Sequence, residues 1–185
     1  MRVFLDFEAS SLADKSYPIE VGWAWEDGRD EDYLIRPASG WTDWASEAQA
    51  IHGIARETLE RDGTPHDVVA RRMVEVLSGH DLFASAPSWD GKWLSALLRA
   101  AGLPRHALRL RDSEDARAET ARDILAPVLL QDALGPAVAA VLAQAEADRP
   151  SGRPAHRALA DAVQERAYWL HVRDLATQRA GSPTG

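Results

Sequence analysis

Hydrophobic and polar positions alternate from the start of the chain. In Arg2-Val3-Phe4-Leu5-Asp6-Phe7-Glu8, Val3, Leu5 and Phe7 point one way along an extended strand, and Phe4, Asp6 and Glu8 the other. Pro18 precedes a second alternating run, Ile19-Glu20-Val21-Gly22-Trp23-Ala24-Trp25. Asp27-Gly28 marks a turn, and Asp32-Tyr33-Leu34-Ile35-Arg36 reads as a third strand ended by Pro37. The first three strands therefore form an antiparallel meander.

Residues 41 to 62 read as short helices with loops between them. Gly63-Thr64-Pro65 breaks the chain, with Thr64 as the N-cap and Pro65 at the first position of a helix running to about Leu77. Its apolar face is Val68, Val69, Met73, Val76 and Leu77, and Gly79 ends it. Asp81-Leu82-Phe83-Ala84-Ser85-Ala86 reads as a buried strand, which implies a crossover onto the first sheet. Ser88 caps a helix carrying Trp93, Leu94, Leu97, Leu98 and Ala101, and Ala107 to Arg111 form a fifth strand. Helices follow over 113–130, 136–148 and about Ala155 to Thr177, the last with Leu159, Val163, Ala167, Leu170 and Leu175 inward. No linker divides the chain. Residues 1–178 are expected to form a single domain and residues 179–185 a disordered tail.

Composition narrows the class. At 45% hydrophobic and 27% charged residues, the chain reads as a soluble globular protein. No apolar run is long enough to span a membrane, and no signal-peptide pattern opens the chain. A cytoplasmic location is the expectation. The absence of cysteine excludes disulfides and Cys-ligated zinc. A net charge of −8 argues against a long footprint on duplex nucleic acid, which requires many phosphate contacts. It is compatible with an enzyme that holds a few nucleotides at a carboxylate-rich metal site. All basic residues but Lys15 and Lys92 are arginine, which suits bidentate phosphate contacts and equally reflects genome composition.

The acidic residues carry the chemistry. Asp6 and Glu8 lie side by side on one face of an otherwise apolar strand. Like charges so close repel, and a hard cation such as Mg²⁺ with oxygen ligands removes that penalty. The alternative is an exposed pair at a strand end. Asp90 opens a helix directly after a central strand, where it also favours the helix dipole. Asp161 lies early in the last helix, five residues after His156.

Three motifs now stand in order. They are Phe4-Leu5-Asp6-Phe7-Glu8-Ala9-Ser10-Ser11-Leu12, Ala86-Pro87-Ser88-Trp89-Asp90-Gly91-Lys92-Trp93-Leu94 and His156-Arg157-Ala158-Leu159-Ala160-Asp161-Ala162. Together with Ala50-Ile51-His52-Gly53-Ile54, they resemble the DEDDh (DnaQ-like) family of 3′–5′ exonucleases over about residues 2 to 175. The chain departs from the family at Ala9, where Thr or Ser is usual, at Ser11, where Gly is common, and at Ala86, where Asn is frequent.

The resemblance implies an α/β, ribonuclease H-like fold: a mixed five-stranded sheet, antiparallel meander then parallel strands, with helices on both faces. It also implies a two-metal hydrolysis of phosphodiester bonds, with two divalent cations, Mg²⁺ or Mn²⁺. Asp6, Glu8 and Asp161 would hold the nucleophile-side ion, Asp6 bridging to a second ion near Asp90. His156 would be the general base toward the attacking water, a role that suits an imidazole with its ordinary pKa of about 6.5. The Gly152-Arg153-Pro154 approach would let it move in. Phe7, Leu12, His52 and Trp89 are the family-based candidates for holding the 3′-terminal nucleotide, with core packing the alternative for Phe7 and Trp89. Trp41 and Trp44 are further stacking candidates, for which packing is the alternative.

The implied partners are single-stranded nucleic acid 3′ ends or short oligonucleotides, without a membrane. The homodimer common in the RNA-processing branch of the family extends that expectation. Two other functions compete: a catalytically weak nucleic-acid-binding module of the same fold, and an internally cleaving nuclease.

Overall fold

The structure is a computed structural model that describes residues 1–149 and 155–181. Its elements, in chain order, are β1 (Arg2–Ala9), β2 (Pro18–Trp25), β3 (Asp30–Arg36), α1 (Ser46–His52), α2 (Arg56–Asp62), β4 (Thr64–Pro65), α3 (His66–Leu77), β5 (Asp81–Ala84), α4 (Pro87–Ala100), β6 (Leu110–Asp112), α5 (Ser113–Leu125), α6 (Gln131–Ala147) and α7 (Ala158–Gly181). One sheet orders them β4-β3-β2-β1-β5-β6. β1, β2 and β3 pair antiparallel, and β5 and β6 continue in parallel from β1. No helix among the described residues is long and apolar enough to cross a membrane.

The alternation in β1 sorts the two layers. Val3, Leu5 and Phe7 pack with Val21, Trp23 and Trp25 of β2 against α3 and α4, through Met73, Leu77, Trp93, Leu97 and Leu98. Phe4 faces the other way and meets Phe83 of β5, Ala116 of α5 and Trp169 of α7. A satellite core of Leu125, Leu134, Val138, Val141 and Val172 binds α6 to α5 and α7.

The sheet has six strands, one more than expected. The extra strand is Thr64–Pro65, which pairs in parallel with Ile35 and Arg36 of β3. Thr64 is extended because the residue before a proline avoids the helical region, so it enters the sheet edge instead of capping α3. Other boundaries also move. Pro87, not Ser88, opens α4, with Ala86 as its N-cap. α6 begins at Gln131, one turn before the expected start, and keeps Pro136 inside it. α7 runs to Gly181, so residues 179–181 are helical where a tail was expected, and residues 182–185 lie outside the described residues.

α7 also buries a different stripe from the one its large aliphatics suggest. Ala158, Ala162, Trp169, Val172 and Ala176 face inward, while Ala167 is exposed. Small residues at the start of the helix let its backbone lie close to the sheet. Gly22 of β2 completes that approach: a Cβ there would sit 2.3 Å from Leu159 N and 2.4 Å from Leu159 Cα. Those are backbone atoms and cannot swing aside. Gly22→Ala is therefore expected to destabilise the fold by about 2 kcal/mol or more, lowering Tm by about 4–8 °C for a chain of this size. A thermal melt of the variant checks it, and an unchanged Tm contradicts the close approach of α7.

Candidate metal centre

The site lies at the end of β1, where the α7 face of the sheet carries Asp6 and Glu8. Their cross-strand partners in β2 are Gly22 and Glu20. The register shifts between Glu8 and Ala9, a bulge that ends the regular ladder beside the site. α7 crosses at Gly22 and brings Asp161 down to Glu8. Ligand atoms of Glu8, His156 and Asp161 all lie within 4.8 Å of one another. The Ala155 N–H donates to Asp161 Oδ1 at 3.1 Å, which folds the segment before α7 back over its first turns. His156 turns that corner with φ 51°, a left-handed conformation that costs a non-glycine residue about 1–2 kcal/mol. The Gly152-Arg153-Pro154 approach lies outside the described residues.

Asp90 enters from the opposite layer, in the first turn of α4. It is 2% exposed, and its Oδ2 has no hydrogen-bond partner among the described residues. Burial pushes its pKa up to about 7 against backbone hydrogen bonding at Phe7 and Ala86. Asp6 sits among the others. Its pKa stands well above the usual carboxylate range, through burial first and then through Asp90, Glu8 and Asp161. Burial, followed by Asp161 and Glu20, pushes Glu8 up to about 7, with Arg157 opposing. Asp6 thus feels the charge of the other three expected carboxylates, while Glu8, His156 and Asp161 are the residues whose ligand atoms meet within 4.8 Å.

The charges around this group are not treated alike. Glu20 is bound by Arg157 at 2.6 Å. Glu165, one turn after Asp161, is bound by Arg117 at 2.9 Å and Arg149 at 3.3 Å, and accepts from Ser113 Oγ at 2.8 Å. Among the described residues, Asp6, Glu8, Asp90 and Asp161 form no ion pair. A divalent cation fits this donor set: hard oxygens, one of them buried and unpartnered, with an excess of negative charge.

The candidate nucleotide-holding residues divide. Phe7 is 4% exposed with its ring in the main core, so its side chain packs and only its backbone faces the site. Leu12 is 70% exposed. Trp89 is 39% exposed, lies 5.7 Å from Trp93 ring to ring, and has Lys92 Nζ 4.9 Å from its ring centre. His52 is buried. Its Nδ1 accepts from the Ile54 N–H at 3.0 Å, and its Nε2 has no partner among the described residues. Burial lowers its pKa, with Glu20 opposing and Arg157 and His156 adding to the effect. Trp41 stacks on Tyr17 at 5.1 Å, and Trp44 donates to Gln49 and meets His52 edge-on, so both rings serve packing. Ser10 and Ser11 both donate to Asp43, so the serine at the departure from the usual glycine fastens a loop.

Sequence reasoning missed Glu20, Gly22, Arg157 and Glu165. A signal for Glu20 was available: it is the lone charge in an otherwise apolar strand, at the alternation phase of the α7 face. Glu165 gave none, because its partners come from α5 and the end of α6.

The fold is shared with exonuclease I. The Methylocaldum szegediense enzyme superposes with a TM-score of 0.65 at 18% identity, over 94% of this chain and 40% of that one. Escherichia coli exonuclease I in complex with a dA16 oligonucleotide gives 0.65 at 15% identity, over 97% and 42%. A zinc-bound form of the same E. coli enzyme with single-stranded DNA gives 0.62 at 16%, over 90% and 38%. The chain spans about two-fifths of the length of these proteins. No family model matches it, and no curated protein does.

The raised carboxylates give a stability signature. Up to about pH 7 the folded, metal-free protein holds protons at Glu8 and Asp90 that the unfolded chain has already released, and burial shifts Asp6 in the same direction. Stability from these groups is therefore present at the acid end and lost as pH rises through about 7. Melts in EDTA should show Tm falling over this range. Asp6→Asn should flatten the fall, and Mn²⁺ at pH 8 should reverse it in the wild type. A Tm independent of pH and of Mn²⁺ contradicts the clustering.

Proposed function

We propose that the chain is a metal-dependent 3′–5′ exonuclease of the DEDDh type, hydrolysing phosphodiester bonds of single-stranded RNA or DNA from the 3′ end. The observation that carries this reading is the charge pattern. Four coupled carboxylates lack an arginine partner among the described residues, while the two acids beside them, Glu20 and Glu165, each have one. Such a centre favours cations, and a phosphodiester is a substrate that needs them. The shared fold adds support, since its neighbours include an E. coli enzyme crystallised with single-stranded oligonucleotides.

Each residue then has a role. Asp6, Glu8 and Asp161 would hold one divalent cation, with Asp6 shared toward a second at Asp90. Bound there, the two ions would activate water and stabilise charge on the phosphoryl and leaving 3′ oxygens. His156, beside Glu8 and Asp161, accepts the proton of the attacking water. Trp89 offers an exposed ring for stacking on a base, and Lys92 beside it a charge for phosphate.

Turnover of 5′-labelled single-stranded RNA and DNA with Mg²⁺, Mn²⁺ or EDTA tests the reading. A metal-dependent ladder that shortens from the 3′ end is expected, absent in Asp6→Ala. His156→Ala should retain Mn²⁺ binding while the rate falls about 10²–10⁴-fold, the usual worth of a general base. Internal cuts on 3′-blocked substrate would replace the exonuclease with an endonuclease. Binding without any cleavage would leave a binding module.

A further inference from the structure

Glu20 is 1% exposed and lies directly across the β1–β2 ladder from Glu8. Its carboxylate accepts from Arg157 Nε at 3.0 and 3.1 Å, from Arg157 Nη2 at 2.6 Å and from the Ala158 N–H at 3.0 Å. Arg157 and Ala158 stand immediately after His156 and immediately before the turn that carries Asp161. One buried side chain on the sheet thus grips the chain between two proposed site residues, while standing beside a third. Two residues further along β2, Gly22 lets Leu159 rest on the strand, so the grip and the close approach act on the same turn.

We propose that Glu20 is the positioning residue of this site: it fixes where His156 and Asp161 stand relative to Glu8, through Arg157 and the Ala158 amide. The inference rests on the nuclease reading for the meaning of the site, and on the hydrogen bonds alone for the placement. The helix also buries Ala158, Ala162, Trp169, Val172 and Ala176, independently of this ion pair. A carboxylate buried on a sheet is a weak source of stability, because desolvation offsets its attraction to the partner. A two-pronged guanidinium contact instead fixes direction, which is what opposed metal-holding groups need. Arg157 has a second effect. It neutralises a carboxylate that would otherwise join Glu8 and compete for a cation.

Two variants test the role: Glu20→Gln, which keeps the volume and an acceptor but removes the charge, and Arg157→Lys, which keeps the charge but removes the fork and sits on a half-exposed side chain. Isothermal titration with Mn²⁺ should show affinity falling about 10–100-fold in Glu20→Gln, the usual effect of losing a group that orients metal ligands, and less in Arg157→Lys. In the metal-free protein, exchange of the Ala158 amide should speed up about fivefold in Glu20→Gln, since a hydrogen bond to a charged acceptor becomes one to a neutral acceptor. The fall in kcat should exceed any change in KM for the oligonucleotide. If either folded variant binds Mn²⁺ as the wild type does and the Ala158 amide exchanges at the wild-type rate, the proposal is overturned, whatever happens to Tm. A wild type that binds Mn²⁺ but cleaves nothing overturns the nuclease reading alone, because titration and exchange still report on Glu20.

Discussion

Carboxylate charge left without a cationic partner among the described residues is the constraint from which the rest of the site follows. Burial and then repulsion raise Asp6 well above the usual carboxylate range and Glu8 to about 7, and burial alone raises Asp90 to about 7. Repulsion of this kind is destabilising in the folded state and is ordinarily relieved by lysine or arginine. Here arginines are close at hand, yet they bind Glu20 and Glu165 at the margins of the group. The arginines thereby neutralise the neighbouring acids and leave the four central carboxylates without an ion pair among the described residues.

Bringing four acids together from three distant segments requires a scaffold that accepts close backbone contact. β1 supplies two through simple alternation, and its bulge ends the strand beside them. The parallel crossover to β5 delivers the first turn of α4, and with it Asp90, to the same edge. α7 must then lie almost on the strand, which only a glycine at position 22 and alanines at 158 and 162 permit. The tryptophans and leucines of the opposite layer carry most of the hydrophobic burial, so the site face can give up apolar area to charge.

Much of this was legible in the chain. Period-two alternation marked β1 and the shared face of Asp6 and Glu8, and motif order placed Asp90 and Asp161 at the same edge. What was not legible depended on contacts between distant residues. The edge strand at Thr64 exists only because β3 is there to pair with it, and Pro65 alone reads as a helix start. The buried stripe of α7 is made of alanines, whose small size matters against a partner glycine and is invisible in a count of large apolar residues. Glu20 reads in the sequence as one position of an alternating strand, and its partners, Arg157 and the Ala158 amide, come from 137 and 138 residues away.

The central claim is that this carboxylate cluster is a cation centre. Anomalous diffraction at the manganese edge, from crystals grown with Mn²⁺, tests it most directly. The account predicts strong anomalous peaks in contact with Asp6, Glu8 and Asp161, with density reaching toward Asp90. A well-ordered cluster without a peak, or manganese bound only elsewhere on the surface, would contradict it.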